Sequence, residues 1–525
     1  MLKCALIFGN DMVLQRDKEV PVWGVAEPLT QVEVSIQGHQ VSTVSDEQGA
    51  WKVTLPSLAT SFAEVLDVHS GEETLTFTGV QVGEVWLAGG QSNMEFHMRY
   101  DADYPAEKEN CTSYDIRFFD YLEVSYPEQL NEADFMKCYG FWRRSTPDQL
   151  ERFSAVGYYF AKELQANDPV PVGIIGCNWG GTPACAWMSE QAVRNGGGQV
   201  YLDEYNAAVE NLDLDAYEEA FRRNPMSYRV DQLADPISDL MMYGCTMEEF
   251  MGKLAEMGID LSKMDPSAFM PPVGPKYERR PCGLYESMLK PLSPYAIRGV
   301  IWYQGETDGD GHPEAYETLF PALIKNWRAL WKEDLPFFFV QLAPLEQWMA
   351  CVGEPYVIVR EAQQHTADTV PGTGMAVITD VGMQHDIHPK KKQPVGRRLA
   401  LLAENKVYGK DILCEAPTLV SAAVSSGKID LKFDHAGDGL VLKVAVPYGQ
   451  VVGETHLGGL QIFQDGKELS ADLLAARAEK NTVTVTSPEI KEGVPTEIRI
   501  AKTGWYLVNL YNSNDIPARP ATLTI

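Results

Sequence analysis

Four short stretches of this 525-residue chain carry side chains whose types and spacing could do chemistry, and each follows an apolar run. The first is Gly89-Gly90-Gln91-Ser92-Asn93-Met94-Glu95. Paired glycines let a backbone turn sharply. A serine opening the next helix has N–H groups and a positive dipole end beside it, which suits a nucleophile whose transition state is an oxyanion. A helix-capping serine fits the same place. Met94 excludes Gly-x-Ser-x-Gly, so this is not the nucleophile elbow of α/β-hydrolases. The second stretch, Asn178-Trp179-Gly180-Gly181-Thr182, reads equally as a tight turn or as a backbone donor brought close to a reacting carbonyl. It contains no Gly-x-Gly-x-x-Gly dinucleotide fingerprint. In the third, Gln304, Glu306 and Asp308 follow a buried run directly, where polar side chains meet either solvent or a site. In the fourth, Asp386 stands two residues before His388, close enough to hold an imidazole's tautomer and stabilise its cation. His385 and His388 also have the chemistry of metal ligands. No second ligand cluster stands nearby in sequence, so neither a metal nor another cofactor is expected.

The elements that must position these stretches follow from periodicity. Residues 11–80 alternate polar and apolar residues in short runs (20–25, 31–36, 50–55, 73–79) between turn signals, which predicts a small β-sandwich over 1–80. From Val82 the texture changes. Apolar runs at 82–88, 172–176, 297–303, 335–342 and 375–379 alternate with helical spacings such as Phe153, Val156, Phe160, Leu164 and Leu319, Leu323, Trp327, Leu330. Strands separated by helices predict a parallel α/β sheet over 81–410, with ligands beyond the carboxyl ends of its strands, where the four stretches lie. Polar, Met- and Asp-rich residues 190–290 read as a mainly helical insertion with an irregular return over 266–275. Alternation resumes at 427–433, 440–444 and 481–486, which predicts a β-rich region over 411–525.

Composition excludes several classes of function. Apolar residues make up 45% and charged residues 22%, the balance of a packed globular chain. Acidic residues outnumber basic ones by 73 to 44, so nucleic acid is not an expected partner. No apolar run reaches the roughly 18 residues of a membrane span, and no membrane partner is expected. The apolar start of the chain is too short for a secretory h-region and lacks a small-residue cleavage site, so the expectation is a cytoplasmic chain or one whose leader has been removed. Nine dispersed cysteines without a Cys-x-x-Cys pair read as reduced, mostly buried thiols.

Taken in order, Gly-Gly-Gln-Ser92-Asn-Met-Glu, Asn178-Trp-Gly-Gly-Thr, Trp302-Tyr-Gln-Gly-Glu and Asp386-Ile-His-Pro resemble the sialate O-acetylesterase family of SGNH hydrolases. So do Met12-Val-Leu-Gln-Arg-Asp and Pro21-Val-Trp-Gly near the start, and Asn509-Leu-Tyr-Asn-Ser-Asn-Asp-Ile-Pro-Ala near the end. The resemblance implies a flavodoxin-like SGNH esterase domain flanked by β-sandwich regions. It also implies Ser92 as nucleophile, His388 as general base and Asp386 as the acid that orients it. The oxyanion hole would be the N–H groups of Ser92 and Gly180, with Gly181 as the adjacent option, and the Gln304 amide. Gln304 stands where many relatives have Asn, and Asp-x-His replaces the wider Asp-x-x-His, which leaves Glu306 and Asp380 as alternative acids. Gln91, Asn93, Asn178, Trp179 and Glu306, in the same loops, are the expected substrate contacts. The implied activity is removal of O-acetyl groups from a sugar, a sialic acid foremost, through an acetyl-serine. Acetylated xylan or xyloglucan oligosaccharides are the alternative substrates, and Arg99, Lys390 and Arg279 are the cations open to a sialate carboxylate. A glycosidase using two of Glu95, Glu306, Asp308 and Asp386 would leave the Gly-Gln-Ser loop unexplained. A non-catalytic carbohydrate-binding protein would leave the complete Ser, Gln, Asp and His set unexplained.

Overall fold

The computed structural model describes residues 2–131, 138–224, 227, 233, 236–258, 271–445 and 452–525. The chain divides into two compact units, Met1–Thr307 with Thr318–Phe337, and Asp308–Glu317 with Phe338–Ile525.

In the first unit, antiparallel strands form where polar and apolar residues alternate. Gln31–Ile36 buries Val32, Val34 and Ile36, and pairs with His39–Val44 across a turn whose two residues, Gln37 and Gly38, have positive φ of 51° and 74°. Val20–Val25 pairs with Ala50–Leu55. The run expected at 73–79 is the beginning of a much longer strand, β1 (Glu73–Gly90). Its first part is half-exposed beside Ser61–Ser70, whereas every residue from Val80 to Gly90 is buried. The change of texture at Val82 therefore marks a change of neighbours along one continuous strand.

Beyond β1 the chain makes one helical turn, α1 (Ser92–Glu95), and continues through β2 (Ile116–Asp120), β3 (Trp142–Arg144), α2 (Ala155–Asn167), β4 (Val172–Asn178) and β5 (Gly299–Tyr303). The strand order is β3-β2-β4-β1-β5, parallel throughout except for the antiparallel edge strand β3. Strands covered on both faces read as unbroken apolar runs, and β4 is buried at all seven positions. Arg117 and Asp120 interrupt the run of β2, which hid it from a search for apolar segments. Ser154 caps α2 by accepting the Gly157 N–H at 3.0 Å, and Phe160 of α2 meets Trp86 of β1 edge to face. Between β4 and β5 lie the helices Glu190–Asn195, Gln199–Val209, Leu214–Arg223, Pro236–Tyr243 and Met247–Glu256. Of the irregular return expected over 266–275, residues 266–270 lie outside the described residues.

The buried Glu84 of β1 accepts from Arg16 Nε at 2.6 Å, Arg298 Nε at 2.7 Å and Gln15 Nε2 at 3.2 Å. Burial raises its pKa, but the bonds and charges of Arg298 and Arg16 outweigh burial and hold the carboxyl below its ordinary value. Such a group stabilises the fold above the unfolded carboxylate value of about 4.3, and that contribution is lost as pH falls through the folded value. Glu84→Ala would leave two partly buried guanidinium groups without their shared anion. A urea titration at neutral pH is expected to show a loss of about 3–5 kcal/mol, with the difference from wild type shrinking in acid.

In the second unit, Phe337–Val340, which enters this unit at Phe338, pairs with Thr373–Ala376, and the helices Tyr356–Thr369 and Gln393–Lys406 pack against the latter strand. Farther along, two four-stranded antiparallel sheets form. The first runs Thr418–Ser425, Lys428–Asp434, Thr482–Thr486, Ala475–Glu479, and the second Lys467–Glu468, Leu460–Gln464, Thr496–Ile500, Ala521–Thr524. Ile429, Leu431, Phe433, Val483 and Val485 of one sheet and Ile462, Ile498 and Ile500 of the other share a single apolar core. The fold is mixed α/β with additional β-sheet regions, as the periodicity predicts at this level. Among the described residues, no helix is long and apolar enough to cross a membrane. No disulfide links the nine cysteines, of which Cys111, Cys177, Cys185 and Cys414 are buried and the other five partly exposed, so burial is less general than expected.

Candidate active site

Register brings three of the four stretches to one edge of the first unit's sheet. Gly90, the last residue of β1, is level with Asn178, the last of β4, and with Tyr303, the last of β5. The loops that follow, beginning at Gln91, Trp179 and Gln304, therefore leave the sheet side by side, at the carboxyl ends of parallel strands. Gly90 must be glycine: its φ is +137°, and a Cβ there would lie 2.1 Å from the Tyr303 carbonyl oxygen.

Ser92 opens α1 and is half-buried. The residue at the helix cap is Gln91, which makes no side-chain capping bond, so capping does not account for the Ser92 hydroxyl. The loop after β4 lies against this serine. Trp179 N–H donates to the Gly90 carbonyl at 3.1 Å, and a Cβ on Gly180 would stand 3.2 Å from Ser92 Cβ. Glu95 sets the position of this loop: its Oε2 accepts the Gly180 N–H at 2.7 Å. The expected donor of Gly180 is thus already engaged by a buried carboxylate. The N–H of Gly181, where φ is +73°, has no hydrogen-bond acceptor among the described residues.

The other polar residues expected at this edge are all buried. Gln304 is inaccessible to solvent and donates from Nε2 to the Thr182 carbonyl at 3.2 Å, holding the glycine loop from behind. Gln91 accepts from the N–H groups of Gly305 and Thr307 at 3.4 and 3.3 Å. Asn93 donates to Glu306 Oε1 at 2.5 Å, and Asn178 to the Ala88 carbonyl at 3.0 Å. Gln91, Asn93, Asn178, Trp179 and Glu306 are each exposed by 6% or less. The cause is general: a loop leaving a buried strand end has backbone groups to satisfy, and the nearest polar side chains serve them first.

The fourth stretch belongs to the second unit. Asp386 and His388 are both buried. Asp386 Oδ1 accepts the backbone N–H of His388 at 2.8 Å and lies 3.7 Å from its Nδ1, while Oδ2 pairs with Lys390 Nζ at 2.8 Å. The acid therefore holds the histidine's backbone and stands beyond hydrogen-bond range of its ring. Burial, then the charges of Lys390 and Lys392, push the imidazole well below its ordinary pKa. Trp348 packs edge-on against the ring, with centroids 5.3 Å apart. Asp380, an alternative acid, is bound by both Arg398 nitrogens at 2.7 and 2.8 Å and by the Tyr511 hydroxyl at 3.1 Å, a structural assignment. His385 is exposed beside Glu346. Among the described residues, no group of three or more His, Cys, Asp and Glu side chains is arranged to hold a metal ion. Sequence reasoning missed Glu95 as the partner of Gly180 and Trp348 as the partner of His388. A Glu three residues after a strand-end Ser was the one available signal for the first, and nothing local marks the second.

Residues 275–402 match the family described as carbohydrate esterase, sialic acid-specific acetylesterase. The sialate O-acetylesterase of Mus musculus is 26% identical over 470 residues, covering 82% of this chain and 79% of the mouse protein. That of Homo sapiens is 25% identical over 451 residues, covering 79% and 72% respectively. The crystal structure of a carbohydrate acetylesterase from Xanthomonas citri matches with a TM-score of 0.72 and 29% identity, over 100% of this chain and 99% of that one. These matches mark the protein as an enzyme, a carboxylic ester hydrolase, similar to the carbohydrate esterases. The resemblance of the chain to the sialate O-acetylesterase family is borne out by these matches.

Proposed function

We propose that the protein is a serine esterase of the SGNH type that removes O-acetyl groups from sugars, with a sialic acid as the foremost substrate. The observation that carries this reading is the packing of the Gly180-Gly181 loop against Ser92, a residue whose hydroxyl capping does not explain. Ser92 Oγ attacks the acetyl carbonyl and its proton passes to His388. The N–H groups of Ser92 and Gly181 stabilise the oxyanion, Gly181 taking the place of Gly180 because Glu95 holds the latter. His388 then protonates the sugar oxygen as its bond to the acetyl carbon breaks, releasing the free hydroxyl. Water, deprotonated by the same imidazole, attacks acetyl-Ser92, and the proton passes to Ser92 Oγ as acetate leaves. In this scheme Gln304 and Glu95 position the glycine loop, and Asp386 fixes the His388 backbone.

Burial and the neighbouring lysines favour the neutral imidazole that a general base requires. The acidic limb of kcat/KM is accordingly expected below the ordinary histidine value of about 6.5. The same shift has a sign in stability: the unfolded chain binds the His388 proton more readily, so stability falls as pH drops below that value. A pH–rate profile on an acetate ester with its acidic limb above pH 6.5 would count against His388 as base.

The decisive test is mass-spectrometric deacetylation of a panel of O-acetylated sugars, with p-nitrophenyl acetate and a serine-directed organophosphate as controls. Acetate release abolished by the reagent supports the proposal, and glycoside cleavage indifferent to it overturns the proposal. Acetylated hemicellulose oligosaccharides are the second reading, favoured by the full-length likeness to the Xanthomonas carbohydrate acetylesterase.

A further inference from the structure

Three cations were open to a substrate carboxylate, and two of them are already committed. Arg99 donates from Nη2 to Asp239 at 2.9 Å and from Nη1 to the Leu233 carbonyl at 2.9 Å. Lys390 pairs with Asp386 at 2.8 Å. Arg279 differs. Its side chain hydrogen-bonds Tyr277, but the carboxylate it approaches, Glu278 Oε1, is 4.0 Å from Nε, and the buried Nε atom has no hydrogen-bond partner among the described residues, although the side chain as a whole is 36% exposed. Its guanidinium is also well placed. A Cβ on Gly181 would stand 2.7 Å from Arg279 Nη2, so glycine at 181, with its left-handed backbone, makes room for the arginine head. Gly181 is the next residue after the glycine that touches Ser92, and it carries the N–H assigned above to the oxyanion.

We propose that Arg279 is a specificity-determining residue that binds a carboxylate on the sugar bearing the scissile acetyl group. A guanidinium presents a planar fork of donors that matches a carboxylate, and one partly withdrawn from water gains more from such a pair than a hydrated surface lysine. This inference rests on the reading of Ser92 as the nucleophile, because it is the position of Gly181 beside that serine that brings Arg279 to the substrate. Sialic acids and acetylated uronic acids share the required chemistry.

The experiment compares kcat/KM for an O-acetylated N-acetylneuraminic acid with that for its carboxamide, and the same for an O-acetylated glucuronic acid glycoside and its carboxamide. The wild-type enzyme is expected to prefer at least one acid over its carboxamide by roughly 10- to 100-fold, the span of a hydrogen bond to a charged group. Arg279→Met is expected to bring that ratio close to one, and the acid that shows the effect identifies the source. Arg279→Lys, which keeps the charge and loses the fork, should give an intermediate ratio and serves if the Met variant does not fold. A wild-type ratio near one for both acids overturns the proposal, as does a large ratio that survives both substitutions. Loss of the underlying esterase reading shows separately, as p-nitrophenyl acetate turnover that persists in Ser92→Ala.

Discussion

Replacing Ser92 with alanine is expected to lower kcat for acetate esters by about 10⁴-fold or more, with the fold unchanged. Without Oγ no acetyl-enzyme forms, and the backbone donors of the glycine loop act only on the slow attack of water. Stability separates this outcome from a structural one. Gln91, and not Ser92, stands at the cap of α1, so the substitution removes no capping bond and should shift the unfolding free energy by no more than about 1.5 kcal/mol, the worth of one hydrogen bond. Circular dichroism melts and turnover of p-nitrophenyl acetate on one preparation check both halves. Wild-type turnover in Ser92→Ala would remove the nucleophile and, with it, the mechanism.

His388→Ala is expected to match that loss to within an order of magnitude, because nucleophile and base act as a unit and their effects do not add. Asp386→Asn should cost much less than the roughly 10⁴ seen where a triad acid bonds directly to the imidazole. Here its Oδ1 reaches the His388 backbone at 2.8 Å and the ring only at 3.7 Å, and an asparagine oxygen preserves the backbone bond. What it removes is the partner of Lys390. That lysine's unbalanced charge should depress the His388 pKa further and move the acidic limb of the pH–rate profile downward. Single-turnover rates and the pH profile of the two variants distinguish the cases. A loss at Asp386 as large as that at His388 would show that the acid swings onto the ring during the reaction.

Much of this protein was legible from local pattern. Each of the five apolar runs expected as strands from 82 to 379 overlaps a strand, the last only at Met375 and Ala376, and the helical spacings around Phe160 and Leu323 fall on helices, because side-chain periodicity reports which residues face a core. β2 escaped because Arg117 and Asp120 break its pattern. β1 was divided in two because its burial changes from one-sided to two-sided at Val80, just past the positive φ of Gly79, although the strand itself continues. The chemistry-bearing residues were equally visible as types: a serine after paired glycines, a second glycine pair, and a histidine beside an acid.

By itself, then, the sequence determined where the strands end and which reactive side chains stand there, since both depend on neighbours a few residues apart. Only the tertiary structure decided which of those groups remain available for chemistry. The Gly180 N–H is taken by Glu95, 85 residues away in the chain, and the Asn93 amide by Glu306, 213 residues away. Gln91, Asn93, Asn178 and Glu306, four polar residues that looked like substrate contacts, hydrogen-bond within the fold, whereas Arg279, on a separate turn, lies beside Gly181. The physical reason is that a hydrogen bond or an ion pair is satisfied by whatever partner the fold brings within about 3 Å, and that partner is set by strand register and packing, which no local period encodes.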